Sequence, residues 1–64
     1  MNIPLILVIE DEQALRENIV EIILHYGFRV ISAPSGEDGI NLALQQTPDI
    51  IICDIMLPGM DGFD

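Results

Sequence analysis

The 64-residue sequence has no Lys, no Trp and a single Cys. Its only side chains that are cationic at neutral pH are Arg16 and Arg29, set against eleven Asp and Glu, for a net charge of −9. Nucleic-acid backbones are bound by basic side chains that displace counterions, so this segment is not expected to bind nucleic acid directly. An anionic membrane surface is excluded on the same ground, whereas the acidic balance suits a cation-binding site. Cys53 has no partner for an internal disulfide, which points to a reducing compartment or to a core completed elsewhere. The second alternative matters because a folded chain this short buries only about 60% of its unfolded surface.

Other absences narrow the chemistry. No basic segment precedes the apolar run Leu5–Ile9 and no small-residue cleavage pattern follows it, so a signal peptide is not expected. The run is too short to span a bilayer, and a cytoplasmic location is the expectation. His25 has no second His or zinc-spaced Cys beside it and reads as a solvated cation-end residue of a helix. Gly36 and Gly39 do not make a phosphate-cradling loop, because no G-x-G-x-x-G or P-loop pattern surrounds them.

What is present is half hydrophobic and rich in Ile and Leu. Leu5–Ile9 is continuously apolar, as expected of a strand buried on both faces of a parallel sheet. Glu10-Asp11-Glu12 ends it, with Asp11 placed to cap a following helix. Helical periodicity runs from Gln13 to Tyr26, with Leu15, Ile19, Ile22, Ile23 and Tyr26 on one face and Arg16, Glu17 and Glu21 toward solvent. Gly27 suits the left-handed residue after a helix. Phe28–Ala33 reads as a second strand, broken by Pro34.

Ser35-Gly36-Glu37-Asp38 resembles a capping box that opens a second helix ending near Gln46 and burying Ile40, Ala43 and Leu44. Pro48 disfavours helical geometry at Thr47. Ile50–Cys53 reads as a third apolar strand, with Cys53 an inert core residue, and Pro58-Gly59 and Asp61-Gly62 mark turns. The order β-α-β-α-β implies an α/β fold, a fragment of a doubly wound parallel sheet with right-handed crossovers. Three strands with helices on one side would leave an apolar face and an edge of that sheet uncovered. That exposure predicts self-association or a longer native chain.

The strand ends locate the chemistry. Parallel strands share one carboxyl edge, where open α/β sheets place their ligands. Glu10 and Asp11 close the first strand and Asp54 closes the third, so three carboxylates converge if those strands are neighbours. Taken singly, Asp11 could be only a cap, Glu10 a charge facing water and Asp54 a turn residue. Together they repel, and a hard divalent cation relieves the repulsion; oxygen-only ligands suit Mg²⁺. A carboxylate beside Mg²⁺ suggests phosphoryl chemistry with that carboxylate as nucleophile. The backbone of Met56 is well placed to add a carbonyl ligand.

Leu7-Val8-Ile9-Glu10-Asp11-Glu12 resembles the opening of a response-regulator receiver domain. Pro48-Asp49-Ile50-Ile51-Ile52-Cys53-Asp54-Ile55-Met56-Leu57-Pro58-Gly59-Met60-Asp61-Gly62 is similar to that family's phosphoacceptor strand and following loop. The resemblance covers essentially the whole chain and about the first half of a usual receiver domain. It implies a flavodoxin-like fold in which the three strands take the order 2-1-3 of 2-1-3-4-5. It further implies that Asp54 accepts phosphate from a sensor histidine kinase. Asp11, Asp54 and the Met56 carbonyl would bind Mg²⁺ directly, and Glu10, which is Asp in many relatives, would act through a metal-bound water.

The family's switching Ser or Thr and its Lys, on the fourth and fifth strands, have no counterpart in these 64 residues. Residues 1–64 therefore read as a receiver domain truncated after the third strand and acceptor loop. Their expected role is a phosphoacceptor module and not an enzyme. A non-switching acidic Mg²⁺-binding or interaction fragment is the alternative. An Asp-nucleophile phosphotransferase of the haloacid-dehalogenase type ranks last, because Met56 stands where its second Asp belongs and the strand is the third.

Overall fold

The computed structural model describes residues 2–53. Its centre is β1 (Leu5–Ile9), in which all five residues are buried. A strand so apolar can be stable only if both of its faces and both of its hydrogen-bonding edges are covered. Parallel β2 (Arg29–Ala33) lies on one side and parallel β3 (Ile50–Cys53) on the other, giving the order β2-β1-β3. The two intervening helices are α1 (Gln13–His25) and α2 (Gly36–Gln46). Element order, strand order and the bounds of β1, β3 and α2 agree with the sequence reading. This is the doubly wound, flavodoxin-like arrangement.

The helices lie on opposite faces of the sheet rather than together. Ile6 and Val8 pack with Ile23 of α1, joined by Ile19 and Val30, whereas Leu7, Ile9 and Ala33 pack with Leu42 and Ala43 of α2. The strand order accounts for this. The first crossover moves from the centre to one edge and the second moves back past the centre, so right-handed connections fall on opposite sides. Neither helix packs against β3, where Ile50, Ile51, Ile52 and Cys53 are all exposed. The core position expected for Cys53 is therefore not observed among the described residues: its strand is an edge of the described sheet that neither α1 nor α2 reaches.

Both helices dock by a narrower stripe than their apolar periodicity implied. On α1 only Ile23 is buried and Ile19 half-buried, while Leu15, Ile22 and Tyr26 are exposed. Leu24 is exposed as well. Val20 is half-buried, at an open depression it shares with Arg16, Glu17, Glu21 and Ser32. His25 is solvent-exposed in the last turn, its ring edge-on to Tyr26 with centroids 5.5 Å apart. On α2, Ile40 and Leu44 are 62% and 76% exposed instead of buried, and Ala43 is half-buried.

The contact is made by Gly39, which is buried against Ile9. That close approach sets the rotation of α2 and turns Ile40 and Leu44 away. Ser35 caps α2 by accepting from the Asp38 N–H at 3.2 Å. The helix ends at Thr47, which is left-handed (φ 46°) and donates its N–H to the Ala43 carbonyl at 2.9 Å. Pro48 bars the helical region for Thr47, so the β-branched residue takes a conformation that normally favours Gly or Asn. The turn signals at Pro58-Gly59 and Asp61-Gly62 lie outside the described residues.

A Cβ at Gly39 would sit 2.6 Å from Cγ1 of buried Ile9, whereas one at Gly36 would meet nothing within 4 Å. Overpacking of that kind typically costs about 1–3 kcal/mol, outweighing the helix-propensity gain of about 1 kcal/mol for Gly to Ala. Urea unfolding of Gly39→Ala is therefore expected to show a clear loss of stability, and Gly36→Ala none. Equal midpoints for the two variants would mean that α2 does not approach the strand this closely.

Candidate functional site

The register brings the strand ends level. Ile9 pairs with Ala33 on one side and with Cys53 on the other, so all three strands finish along one edge. The opposite end of β1 is clamped by Asp49, whose Oδ2 accepts from the Leu5 N–H at 2.8 Å while its own N–H donates to the Leu5 carbonyl at 2.8 Å. β3 thus enters beside β1 in fixed register, and the carboxyl ends inherit that alignment.

Glu10 is the first residue past β1, and it is 3% exposed. Its N–H extends the ladder by one step, donating to the Ala33 carbonyl at 3.1 Å. Its Oε2 accepts from the Glu12 N–H at 3.0 Å. Its Oε1 is buried and has no hydrogen-bond partner among the described residues. A buried carboxylate oxygen left without a partner is energetically unfavourable, and such an atom calls for an explanation such as a bound ion. The view of Glu10 as a strand-end charge facing water does not hold.

Asp11 is exposed and does not cap the helix. Glu12 does so instead: it is extended (φ −91°, ψ 117°), its Oε1 accepts from the Leu15 N–H at 3.1 Å, and its carbonyl accepts from the Arg16 N–H at 2.9 Å. Capping places the acceptor beside the third N–H of the helix, and the longer Glu side chain reaches it from a position one residue nearer the helix than Asp11. The Asp11 carboxylate is thereby left free of a structural duty at the helix end.

Arg16 is the residue at this edge that sequence reasoning missed. Expected to face solvent, it is half-buried and donates from Nη1 to the Glu10 carbonyl at 2.9 Å. The available signal was its place four residues beyond the cap, on the side of the helix that turns back over the preceding strand end.

The structure therefore joins Glu10 and Asp11 at the end of the central strand. Asp54 and Met56 lie outside the described residues. Among the described residues no group of three acidic, His or Cys side chains is gathered closely enough to hold a metal. The donors that are present fit a hard cation: carboxylate oxygens only, one of them buried and unpartnered. Among the described residues no helix is long and apolar enough to cross a membrane.

Comparison with known proteins gives one consistent answer. The family described as the response regulator receiver domain matches residues 6–64. Transcriptional regulatory protein AfsQ1 of Streptomyces coelicolor is 48% identical over 61 residues, 95% of this chain and 27% of that protein. Transcriptional regulatory protein HprR of Escherichia coli is 43% identical over 58 residues, 91% of this chain and 26% of that protein. Protein PilH of Pseudomonas aeruginosa is 34% identical over 58 residues, 91% of this chain and 48% of that protein. The chain thus spans between about a quarter and a half of the length of these relatives.

Because Oε1 of Glu10 is buried without a partner, Glu10→Gln should raise the stability of the metal-free chain. A neutral amide is cheaper to bury than a carboxylate, and a gain of about 1 kcal/mol is expected. Chemical denaturation in the presence of a chelator measures it. A comparable loss would show that the oxygen is already satisfied.

Proposed function

The chain belongs to the response regulator receiver domain family, a signalling domain of two-component systems, and from that premise we propose that Asp54 accepts a phosphoryl group from a sensor histidine kinase in a site that holds Mg²⁺. In this reading residues 1–64 make up the first half of a receiver domain, through the third strand and the acceptor loop. Asp11, Asp54 and the Met56 carbonyl hold the cation, and Glu10 acts through a water bound to it. The observation that carries the reading is the buried, unpartnered Oε1 of Glu10 at the carboxyl end of the central strand.

The level ends of β1 and β3 support it. Asp54 follows Cys53 directly, and consecutive Cα atoms are about 3.8 Å apart, while neighbouring strands lie about 4.8 Å apart. The reading requires the Asp54 carboxylate to come within reach of Glu10 and Asp11, and Ile9 paired with Cys53 is the register that requirement needs. Eleven acidic residues stand against two Arg, and Arg16 is the only cationic side chain described at this edge, which leaves three carboxylates there short of counter-charge. When bound, Mg²⁺ supplies charge neutralisation at the phosphoryl oxygens.

The residues of the chain do the rest. The Asp54 carboxylate attacks phosphorus, forming a P–O bond as the P–N bond of a phosphohistidine breaks and its electron pair returns to the imidazole nitrogen. Glu10 and Asp11 lie on the preceding strand end, held at fixed height by the β1 ladder. Such a domain relays a phosphoryl group and does not turn over a substrate. The kinase is the proposed partner and the cytoplasm the proposed compartment. No nucleic-acid or membrane contact is proposed for this segment, given its net charge of −9. The exposed β3 edge is where self-association would occur.

Intact mass after incubation with Mg²⁺ and a small phosphodonor tests the assignment. One phosphoryl adduct is expected on the wild type, none on Asp54→Asn, and little in the presence of a chelator. An adduct that persists on Asp54→Asn would place the acceptor elsewhere. A folded wild-type chain that takes no phosphate while still binding Mg²⁺ would favour a non-switching cation-binding fragment.

A further inference from the structure

Resting on the cation site just proposed, we infer that Arg16 is its positioning residue: the hydrogen bond from Nη1 to the Glu10 carbonyl holds the β1–α1 turn in the shape that leaves Glu10 Oε1 free. Four contacts define that turn. The Glu10 N–H is fixed to the Ala33 carbonyl, the Glu10 Oε2 to the Glu12 N–H, the Glu12 Oε1 to the Leu15 N–H, and the Glu10 carbonyl to Arg16. Two of the four lie within the turn or join it to the sheet, and the Glu12–Leu15 bond caps the first turn of α1. Only the Arg16 side chain reaches from α1 to Glu10 itself, so it ties the orientation of the helix to the backbone of the buried carboxylate.

The geometry also explains why an Arg serves there. The Glu10 carbonyl, like its side chain, is at a part-buried strand end, and a charged donor makes a stronger hydrogen bond than a neutral one. Without it the peptide following Glu10 could rotate. Oε2 would then lose the Glu12 N–H, and the carboxylate would no longer present one bound and one free oxygen.

The sign of the effect separates positioning from simple electrostatics. Arg16 is a cation close to a cation site, and on charge alone Arg16→Ala should tighten Mg²⁺ binding. Positioning demands the reverse. Removing groups that orient metal ligands typically weakens metal affinity by about 10- to 100-fold.

The test is Mg²⁺ titration of the full chain for the wild type, Arg16→Ala, Arg16→Gln and Arg16→Lys, with amide hydrogen exchange measured on the metal-free proteins. Arg16→Ala is expected to weaken Mg²⁺ binding about 10-fold and to speed exchange at the Glu12 amide, with protection of the β1 amides Leu7 and Val8 unchanged. Arg16→Lys, which keeps a charged donor, should recover part of the affinity, and Arg16→Gln should recover less. Should Arg16→Ala lose protection throughout β1, the Lys and Gln variants that remain folded decide by the same affinity order. Wild-type affinity or tighter binding in folded variants lacking the guanidinium overturns the positioning role and leaves the cation site standing. No Mg²⁺ binding by a folded wild type overturns the cation site itself, and the role of Arg16 with it.

Discussion

The double-sided pairing of β1 is the constraint on which the rest depends. Five apolar residues in a row have no solvent face to offer, so the strand must take partners on both edges and a helix on each face. Once β2 and β3 flank it, right-handed connections leave α1 and α2 no choice of side. The same pairing levels the three carboxyl ends, with Ile9 matched to Ala33 and Cys53. A shift of one residue between β1 and β3 would exchange the faces of every side chain on the strand and move the ends out of line.

Charge is used sparingly and in places that serve this strand. In a chain of −9 the two guanidinium groups both donate to backbone carbonyls at the two ends of β1. Arg29 Nε reaches Ile3 at 3.1 Å, and Arg16 Nη1 reaches Glu10 at 2.9 Å. Asp49 closes the entry of β3 from the other side with a reciprocal pair of bonds to Leu5. Polar side chains therefore fix where the apolar strand begins and ends, which burial alone would leave free to slide, because burial is non-directional. Glu10 is the exception, a charge taken inside with one oxygen satisfied and the other not. Polar strain of this kind tends to be retained at functional sites, and here it lies where the family's chemistry is expected.

Much of this was legible in the sequence. The run Leu5–Ile9, the cap at Ser35 and the stop before Pro48 are local signals, and each element appears where they put it. That β1 and β3 share one carboxyl edge followed from parallel order, and the pairing of Ile9 with Cys53 levels their ends. The docking faces were less legible. Ile40 and Leu44 fit the helical period as well as Leu42 does, and nothing local says that Gly39 will meet Ile9 and turn the helix. Asp11 is a better cap by residue type than Glu12, yet the path of the chain out of β1 puts Glu12 in the capping position.

The sequence by itself determined the order, type and approximate bounds of the elements, because backbone preference, capping and proline geometry act over a few neighbours. It also determined that Glu10 follows the central strand. Tertiary structure decided which stripe of each helix is buried, that Glu10 is enclosed rather than solvated, and that Arg16 turns back to its carbonyl. Those outcomes depend on distances between segments far apart in the chain, which are set only when the sheet is paired and the helices settle onto it.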